Sequence, residues 1–310
     1  MPQPATVVAI FGPTGVGKTA VAVALAERLR AEGEDPVAIS ADALQLYRGL
    51  EVLTGAPGPE ERARLEHRLI GVLPVTGAST AGEFARRAHA EIDGLLAAGR
   101  RPIVVGGTGL YLRAALAELD LRPPVPEEIR DRRRAQLEQR GAASLHAELA
   151  ERAPAAAAGV APADAQRVTR ALELLDAGHQ PPPGGEASRL WTAELRRPTL
   201  LAGLTMERGE LVRRIEARVD AMVAAGAVEE VRAAAAAGAS PGARQALGFE
   251  ELLRGDVDAM KARTRRYAKR QLTWMRKLPG VTAVDVTGRA PEAVAAELHA
   301  ELRARDGAGG

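Results

Sequence analysis

Apolar runs of strand length alternate with segments of helical periodicity over the first 112 residues of the chain. The runs that read as strands are Thr6–Phe11, Val37–Ser40 and Pro102–Val105. The segments with apolar positions at helical spacing are Thr19–Arg30, Glu60–Leu65 and Ala81–Ala98. Continuous apolar strands that alternate with helices are typical of a parallel sheet covered on both faces. The pattern predicts an α/β fold, with a parallel sheet flanked by helices.

The strand pattern stops in the middle of the chain, between about Leu119 and Gly178. The helices predicted there are one that opens at Pro126, Ala143–Arg152 and Ala163–Ala177. The Pro- and Gly-rich segment Gln180–Gly185 reads as a flexible connector. We therefore expect an all-helical insertion domain over residues 119–195.

Beyond this insertion, Thr199–Thr205 returns the chain to the sheet, and Val281–Val286 reads as an edge strand. The helices predicted in this part are Glu207–Ala225, Ala227–Ala237, Ala246–Leu253, Val257–Arg276 and Pro291–Arg305. Residues 306–310 are expected to be disordered. The core domain is thus predicted to combine residues 1–118 with residues 196–310.

The first strand leads directly into the sequence Gly-Pro-Thr-Gly-Val-Gly-Lys-Thr, which fits the phosphate-binding P-loop G-x-x-x-x-G-K-[ST]. Glycines let backbone N–H groups turn toward a phosphate, and the N-terminus of the following helix adds positive charge. The lysine of this motif can span two phosphate groups, and the last hydroxyl can bind Mg²⁺. The candidate phosphate-binding residues are Gly12, Pro13, Thr14, Gly15, Val16, Gly17, Lys18 and Thr19. The sequence predicts a P-loop NTPase-like fold that binds a diphosphate or polyphosphate, with Thr19 as a Mg²⁺ ligand.

Two further groups follow the other strands, where open α/β sheets place residues that face a ligand. Asp42 comes just after the second strand and can act as a general base, although its position also suits a helix N-cap. Thr108 lies within Gly106–Gly109, after the third strand. That third strand does not end in an acid, which argues against a nucleotide-driven motor.

Composition narrows the remaining choices. The chain has no cysteine, which excludes disulfides and thiolate zinc sites, and its five histidines are scattered. No apolar run is long enough to span a membrane and no signal peptide is recognisable, so a cytoplasmic location is expected. The net charge is only +2, but residues 261–277 carry eight basic residues and no acidic one. This asymmetry, with Tyr267 and Trp274 interleaved, favours a nucleic-acid partner, although both rings can instead simply pack.

Together these motifs resemble the tRNA dimethylallyltransferase (tRNA isopentenyltransferase) family. The matching segments are GPTGVGKT at 12–19, DxxQxYRG at 42–49, VGGTGLY at 105–111, QRxxRALE at 166–173 and RxYAKRQxTWxR at 265–276. The resemblance implies transfer of a dimethylallyl group from dimethylallyl diphosphate to the exocyclic amine of the adenine just 3′ of the anticodon. The tRNAs concerned are those that read codons beginning with U.

The resemblance also implies roles for individual residues, with Mg²⁺ as cofactor. The catalytic groups would be Lys18, Asp42, Thr108 and Arg130. The tRNA would contact Asp42, Ala43, Leu44, Gln45, Gln166, Arg167, Val168, Thr169, Arg170, Arg244, Gln245, Ala246, Leu247, Gly248, Phe249, Lys269, Arg270 and Trp274. In this family the helical insertion corresponds to a second domain that contacts the anticodon stem.

The chain departs from the family pattern around several of these positions. The positions are Ala43 where serine is usual, Ala56 where lysine is usual, Ala161 and Ala163 within the usual His-x-Asn-Asp, and Phe249 where tyrosine is common. None of these changes removes a catalytic group. They motivate the hypothesis of a relaxed or altered tRNA preference, which equal modification of a panel of tRNAs with ordinary KM values would contradict.

Three other functions fit part of the pattern. A prenyltransferase that acts on free AMP or ADP shares the fold and the donor but does not need residues 166–170 or 261–277. A P-loop kinase of a small hydroxyl compound also places an acid after the second strand, but such kinases are typically shorter. A non-catalytic RNA-binding protein would not need the intact set of Lys18, Asp42 and Thr108.

A monomer is expected because no dimer seam is evident.

Overall fold

The computed structural model describes residues 6–119, 121–183, 190 and 192–308. Its strands are β1 (Val7–Phe11), β2 (Pro36–Ser40), β3 (Tyr47–Arg48), β4 (His67–Arg68), β5 (Leu73–Pro74), β6 (Arg101–Gly106), β7 (Thr199–Thr205) and β8 (Thr282–Asp285). Within the described residues, six strands form one parallel sheet in the order β4-β2-β6-β1-β7-β8. The predicted parallel α/β sheet is therefore confirmed.

Helices surround this sheet and form the central insertion. They are α1 (Lys18–Ala31), α2 (Glu51–Thr54), α3 (Pro59–Arg64), α4 (Ala81–Ala97), α5 (Gly109–Leu116), α6 (Glu127–Arg152), α7 (Pro154–Ala157), α8 (Ala165–Asp176), α9 (Arg208–Ala224), α10 (Ala227–Ala236), α11 (Phe249–Leu253), α12 (Val257–Lys277) and α13 (Pro291–Ala308). All five residues of β1 and of β2 are buried. Their continuous apolar sequence reflects a sheet that helices cover on both faces.

Two predicted boundaries near the C-terminus are wrong. Helix α11 begins at Phe249 rather than Ala246, because Gly248 adopts a left-handed conformation with φ of 97°. A Cβ atom at Gly248 would lie 2.5 Å from the Met260 sulfur, so a side chain does not fit there. Helix α13 continues through the expected disordered tail to residue 308, where Asp306 accepts a hydrogen bond from buried Arg101 at 3.0 Å. Residues 309–310 lie outside the described part.

The described chain divides into two compact units, residues 121–189 and the remainder. The smaller unit contains α6, α7 and α8, and its core is formed by Leu145, Leu149, Val168 and Leu172. Helix α6 bends at Gly141, which has φ of 74°, between the two helical segments predicted from the sequence. The predicted connector is described as far as Pro183 and has no regular structure, while residues 184–185 lie outside the described part.

None of the described helices is both long and apolar enough to cross a membrane.

Candidate active site

Three loops meet at the carboxyl edge of the sheet and border one cleft. They follow β1, β6 and β2, which are neighbours in the strand order although they are separated in sequence. The cleft has a volume of about 470 Å³, and its lining includes Lys18, Thr19, Asp42, Gly107, Arg218 and Gln271. Such a crevice at the ends of parallel strands is where open α/β sheets bind ligands. The tertiary structure thus brings together the P-loop and the Asp42 segment, which the sequence predicted separately.

The P-loop connects β1 to α1 with two residues in the left-handed region. Gly15 has φ of 84° and Gly17 has φ of 98°, conformations that glycine adopts without strain. The Lys18 amine donates hydrogen bonds to the carbonyls of Gly12 and Pro13, both at 2.9 Å. The pKa of Lys18 is lowered to about 7, mainly by burial and also by the charge of Arg218. The charge of Asp42 opposes this shift. A bound polyanion would therefore favour the charged form of this lysine.

Asp42 is held in a turn rather than at the end of a helix. One carboxylate oxygen accepts a hydrogen bond from the Leu44 N–H at 3.0 Å, and residues 43–46 form turns. The alternative role of Asp42 as a helix N-cap is therefore wrong, and its side chain lines the cleft. The neighbouring Gln45 amide is engaged within the protein, because its oxygen accepts from the Ser40 hydroxyl at 2.8 Å.

Thr108 is separated from β6 by Gly107 and directly precedes α5, a short helix that the sequence pattern did not predict. Its hydroxyl lies 3.0 Å from the hydroxyl of Tyr267, a residue of α12. Burial raises the pKa of Tyr267 to about 12, and the charge of Asp42 contributes to the increase. Tyr267 therefore remains protonated in the physiological range and holds the Thr108 side chain in place.

Two cleft residues were missed by the sequence analysis, Arg218 and Gln271. Arg218 lies on α9 and donates to the Gly55 carbonyl at 3.0 Å, while its Nε has no hydrogen-bond partner among the described residues. Burial lowers the pKa of Arg218, with the charge of Asp42 opposing this. The approach depends on Gly55, where a Cβ atom would lie 1.8 Å from Arg218 Nη2. Helix α9 contains several arginines, and no local signal marks the one that enters the cleft.

Three of the eight basic residues in 261–277 pair with acids on other helices. Lys261 contacts Asp220 at 2.6 Å, Arg263 contacts Glu251 at 3.0 Å, and Arg265 contacts Glu216 at 2.7 Å. Part of the positive charge of residues 261–277 is therefore neutralised by acidic residues of the same protein. The residues of α12 that remain exposed and basic are Arg266, Lys269, Arg270, Arg276 and Lys277. Any polyanion interaction of α12 therefore depends on this smaller exposed set.

Several of the residues predicted to contact tRNA have buried side chains. Ala246 and Phe249 belong to a core cluster with Tyr47, and Gly248 is also buried. The accessible members of residues 244–249 are Arg244, Gln245 and Leu247. The Arg244 guanidinium lies 5.1 Å from the centre of the Phe249 ring. Trp274 packs on the start of α5, since a Cβ atom at Gly109 would lie 2.2 Å from its ring.

The smaller unit carries the remaining predicted residues. Gln166 and Arg167 are exposed on α8, whereas Val168 is buried in the core of that unit. Arg170 pairs with Glu173 at 3.1 Å and donates to the Pro123 carbonyl at 2.9 Å. Arg130 lies on α6, and its Nε has no hydrogen-bond partner among residues that the structure describes.

No cluster of three acidic, histidine or cysteine side chains that could hold a metal ion occurs within the described ranges. Thr19 lies in the first turn of α1 and lines the cleft close to the P-loop glycines. Mg²⁺ is commonly held by few protein ligands together with substrate phosphates and water. The residues present therefore suit a Mg²⁺ ion that arrives with a diphosphate better than a permanently bound metal.

A family model described as IPP transferase matches residues 45–278 of the chain. A tRNA dimethylallyltransferase from Thermobifida fusca is 42% identical over 292 residues, which cover 89% of this chain and 88% of the relative. The chain belongs to the tRNA dimethylallyltransferase family. The family model begins after the P-loop and Asp42, but the high coverage of the relative extends the similarity over most of both chains.

Solved structures of the tRNA dimethylallyltransferase family share this fold. The full-length tRNA isopentenylpyrophosphate transferase from Bacillus halodurans is 33% identical with a TM-score of 0.69, and the match covers 97% of this chain and 96% of that one. A eukaryotic dimethylallyltransferase described as acting on tRNA is 25% identical with a TM-score of 0.74, covering 97% of this chain and 77% of that one. The prediction of the family from the sequence motifs is thus confirmed.

Proposed function

We propose that this protein transfers the dimethylallyl group of dimethylallyl diphosphate to the N6 amine of the adenosine 3′-adjacent to the anticodon, position 37, in tRNAs that read codons beginning with U. The products are N6-(dimethylallyl)adenosine and diphosphate. The observation that carries the proposal is the single cleft that joins the P-loop with Asp42 in a member of this family. One half of the cleft is suited to a diphosphate, and the other presents a carboxylate to a nucleophile.

The donor diphosphate would bind to backbone N–H groups of the P-loop, with Lys18 and Arg218 supplying positive charge. As the carbon–oxygen bond breaks, negative charge develops on the departing diphosphate, and these groups stabilise that charge. Thr19 would contribute its hydroxyl to the Mg²⁺ shell. When bound, Mg²⁺ supplies further positive charge to the diphosphate oxygens. The role proposed for Arg130 in the same charge stabilisation remains a prediction.

Asp42 would accept a hydrogen bond from the adenine amine and take its proton as the new carbon–nitrogen bond forms. An aromatic amine is a weak nucleophile, so alignment of the amine with the allylic carbon supplies much of the rate enhancement. Thr108, held by Tyr267, would line the passage between donor and acceptor. The adenine can enter such a cleft only when it is flipped out of the stacked anticodon loop.

The exposed basic residues of α12 would contact phosphates of the anticodon stem-loop. Phosphate contacts fix the position of an RNA on a protein without reading its sequence. Lys269 and Arg270 are exposed on this helix, and Arg244 and Gln245 are accessible on the preceding segment. Contacts from Ala43, Leu44 and Gln45 next to Asp42, and from Gln166–Arg170 in the smaller unit, are part of the same proposal.

The test is transfer of label from dimethylallyl diphosphate, in the presence of Mg²⁺, to unmodified tRNA or to free AMP. We expect label on tRNA, at a rate that Asp42→Asn lowers by about 10² to 10⁴-fold, the usual contribution of a positioned base. At about pH 6, where Lys18 carries its proton, the dissociation constant of the donor should stay within about threefold, because Asp42 faces the acceptor. Asp258→Asn, an exposed aspartate in the first turn of α12, serves as the matched control.

Two results would redirect the assignment. Label on AMP but not on tRNA would favour the adenylate prenyltransferase, and the exposed charges of α12 would then have no RNA to bind. No transfer to either acceptor, together with turnover of ATP and a small hydroxyl compound, would favour a P-loop kinase.

A further inference from the structure

One face of α12 contacts three consecutive residues after β6, two in the loop and one at the start of α5. The contacting pairs are Gln271 with Gly107, Tyr267 with Thr108, and Trp274 with Gly109. The three helix residues recur at the spacing that places side chains on one face. The family motif at 265–276 therefore combines an inward face that contacts the cleft with an outward face that is basic.

The side-chain amide of Gln271 contacts two loops at once, the P-loop and the loop that follows β6. Its Nε2 donates to the Gly107 carbonyl at 2.7 Å, and its Oε1 accepts from the Thr14 N–H of the P-loop at 2.8 Å. The side chain is only 4% exposed. A primary amide offers a donor and an acceptor from one planar group, which neither a carboxylate nor an apolar side chain provides.

The backbone of the two loops lies close to this amide. A Cβ atom at Gly107 would lie 2.2 Å from Gln271 Nε2 and 3.1 Å from the Gly12 carbonyl oxygen. The P-loop and the β6 loop therefore approach each other closely through a glycine, with the Gln271 amide bridging them. The Thr14 N–H donates to Gln271, so this backbone N–H stabilises the loop conformation and is not available to a phosphate.

We propose that Gln271 is a positioning residue that fixes the P-loop relative to the Thr108 loop, and hence the donor diphosphate relative to the acceptor amine. The inference rests on the proposed function, because it concerns the alignment of the two substrates of that reaction. Displacement of reacting groups by about 1 Å costs on the order of 10²-fold in rate, without loss of the groups that bind the donor.

The first test compares wild-type protein with Gln271→Met, a variant that keeps the size of the side chain and removes both hydrogen bonds. The single-turnover rate of transfer to tRNA should fall by about 10 to 100-fold. The dissociation constant of dimethylallyl diphosphate should change by less than about threefold, because Lys18 and the other P-loop groups remain. Single turnover with enzyme in excess excludes a smaller active fraction as the cause. A wild-type rate for Gln271→Met would overturn the proposal.

Gln271→Glu provides a second variant whose defect is expected to depend on pH. Its carboxylate still accepts from the Thr14 N–H, but its other oxygen faces the Gly107 carbonyl and repels it. Protonation restores a donor to Gly107, and burial favours the protonated form. The rate of Gln271→Glu relative to wild type should therefore rise by about tenfold as the pH is lowered from about 8 to 6, whereas the relative rate of Gln271→Met stays constant.

Division by the wild-type rate at each pH removes the pH dependence that wild type and the variants share. Gln139→Glu, an exposed substitution on α6, controls for the added charge. A relative rate for Gln271→Glu that does not change with pH would contradict the positioning role. General destabilisation does not predict recovery in acid.

Hydrogen exchange at the Thr14 amide separates this inference from the proposed reaction. Loss of its acceptor in Gln271→Met should accelerate exchange at Thr14 by at least about tenfold, while amides of β1 keep their protection. If wild-type protein does not modify tRNA but Thr14 exchange responds, the proposed function fails and the loop contact stands. If Thr14 exchange is unchanged, the inference about Gln271 fails whatever the substrate.

Discussion

The Lys18 amine lies in a cleft where burial and a neighbouring guanidinium both disfavour its charge. Its pKa of about 7 differs from the ordinary lysine value because desolvation dominates, with Arg218 adding repulsion and Asp42 opposing both. The P-loop motif alone identifies this lysine as a phosphate ligand, but it does not reveal the titration. That property depends on Arg218, which is distant in sequence and lies on α9.

Donor binding should therefore depend on pH through Lys18. Above about pH 7 the amine of the free protein is deprotonated, and binding of the diphosphate restores its proton. Affinity for dimethylallyl diphosphate, measured by calorimetry without tRNA, should fall about tenfold for each pH unit above 7 until the pKa of the complex is reached. Lys18→Arg should remove this dependence, because arginine stays protonated. Equal slopes in both proteins would show that another group titrates.

At the scale of elements, α12 shows how one helix serves two surfaces. Its buried residues include Thr264, Ala268, Gln271 and Met275, and its basic residues include three that pair with acids on other helices and five that are exposed. The sequence analysis predicted the helix and its charge correctly. It did not separate the two groups, because the acidic partners lie on other helices, α9 and α11, and the pairing depends on how those helices pack against α12.

This division predicts that two substitutions on α12 affect different properties, one the stability of the protein and the other its binding to tRNA. Arg263→Ala leaves the buried Glu251 carboxylate without its ion pair and should reduce the free energy of unfolding by about 1–3 kcal/mol. Lys269→Ala should change stability by less than about 0.5 kcal/mol, but weaken tRNA binding and lower its log–log salt slope by about 1. Urea denaturation and salt-dependent binding measure the two effects. A salt slope that falls with Arg263→Ala and not with Lys269→Ala would contradict the division.

At the scale of the whole molecule, each unit has its own network of buried charges. In the smaller unit, Arg133 is almost fully buried and pairs with Asp176 at 2.7 Å and with Glu148 at 2.7 Å. Burial raises the pKa of Asp176, but hydrogen bonds from Arg133, Arg152 and Arg132 outweigh it and hold that pKa well below its usual range. The contribution of Asp176 to stability is therefore present above about pH 4 and is lost as the pH falls below that value.

Asp176→Asn should reduce the stability of the smaller unit by about 1–3 kcal/mol at pH 7, because it leaves the buried Arg133 guanidinium without one of its two anionic partners. The difference from wild type should shrink as the pH is lowered from about 4 toward 2, because the unfolded wild-type chain binds a proton at Asp176 in this range while the folded protein keeps the carboxylate charged. Hydrogen exchange of α6 and α8 amides reports the effect locally. A difference that stays constant over this pH range would exclude the Asp176 charge as its source.

The sequence by itself determined the parallel α/β class, the P-loop, the helical insertion and the family motifs. These features rest on local periodicity and on short motifs whose residues act together within a few positions. The sequence also showed that Asp42 and Thr108 each follow a strand, where this architecture places ligand-facing residues, and Asp42 does line the cleft. Short elements such as β4 and α5 were missed, because a few residues carry no periodicity.

Only the tertiary structure decided which of these loops share one cleft and what completes it. The strand order β2-β6-β1 makes neighbours of three loops that are far apart in sequence. Arg218 and Gln271 enter the cleft from helices that the sequence predicted without assigning either residue to the site. Pairing between distant segments depends on packing of the complete chain, and residue spacing does not encode it locally. For the same reason, the acids that neutralise half-buried arginines of α12 became evident only in the folded molecule.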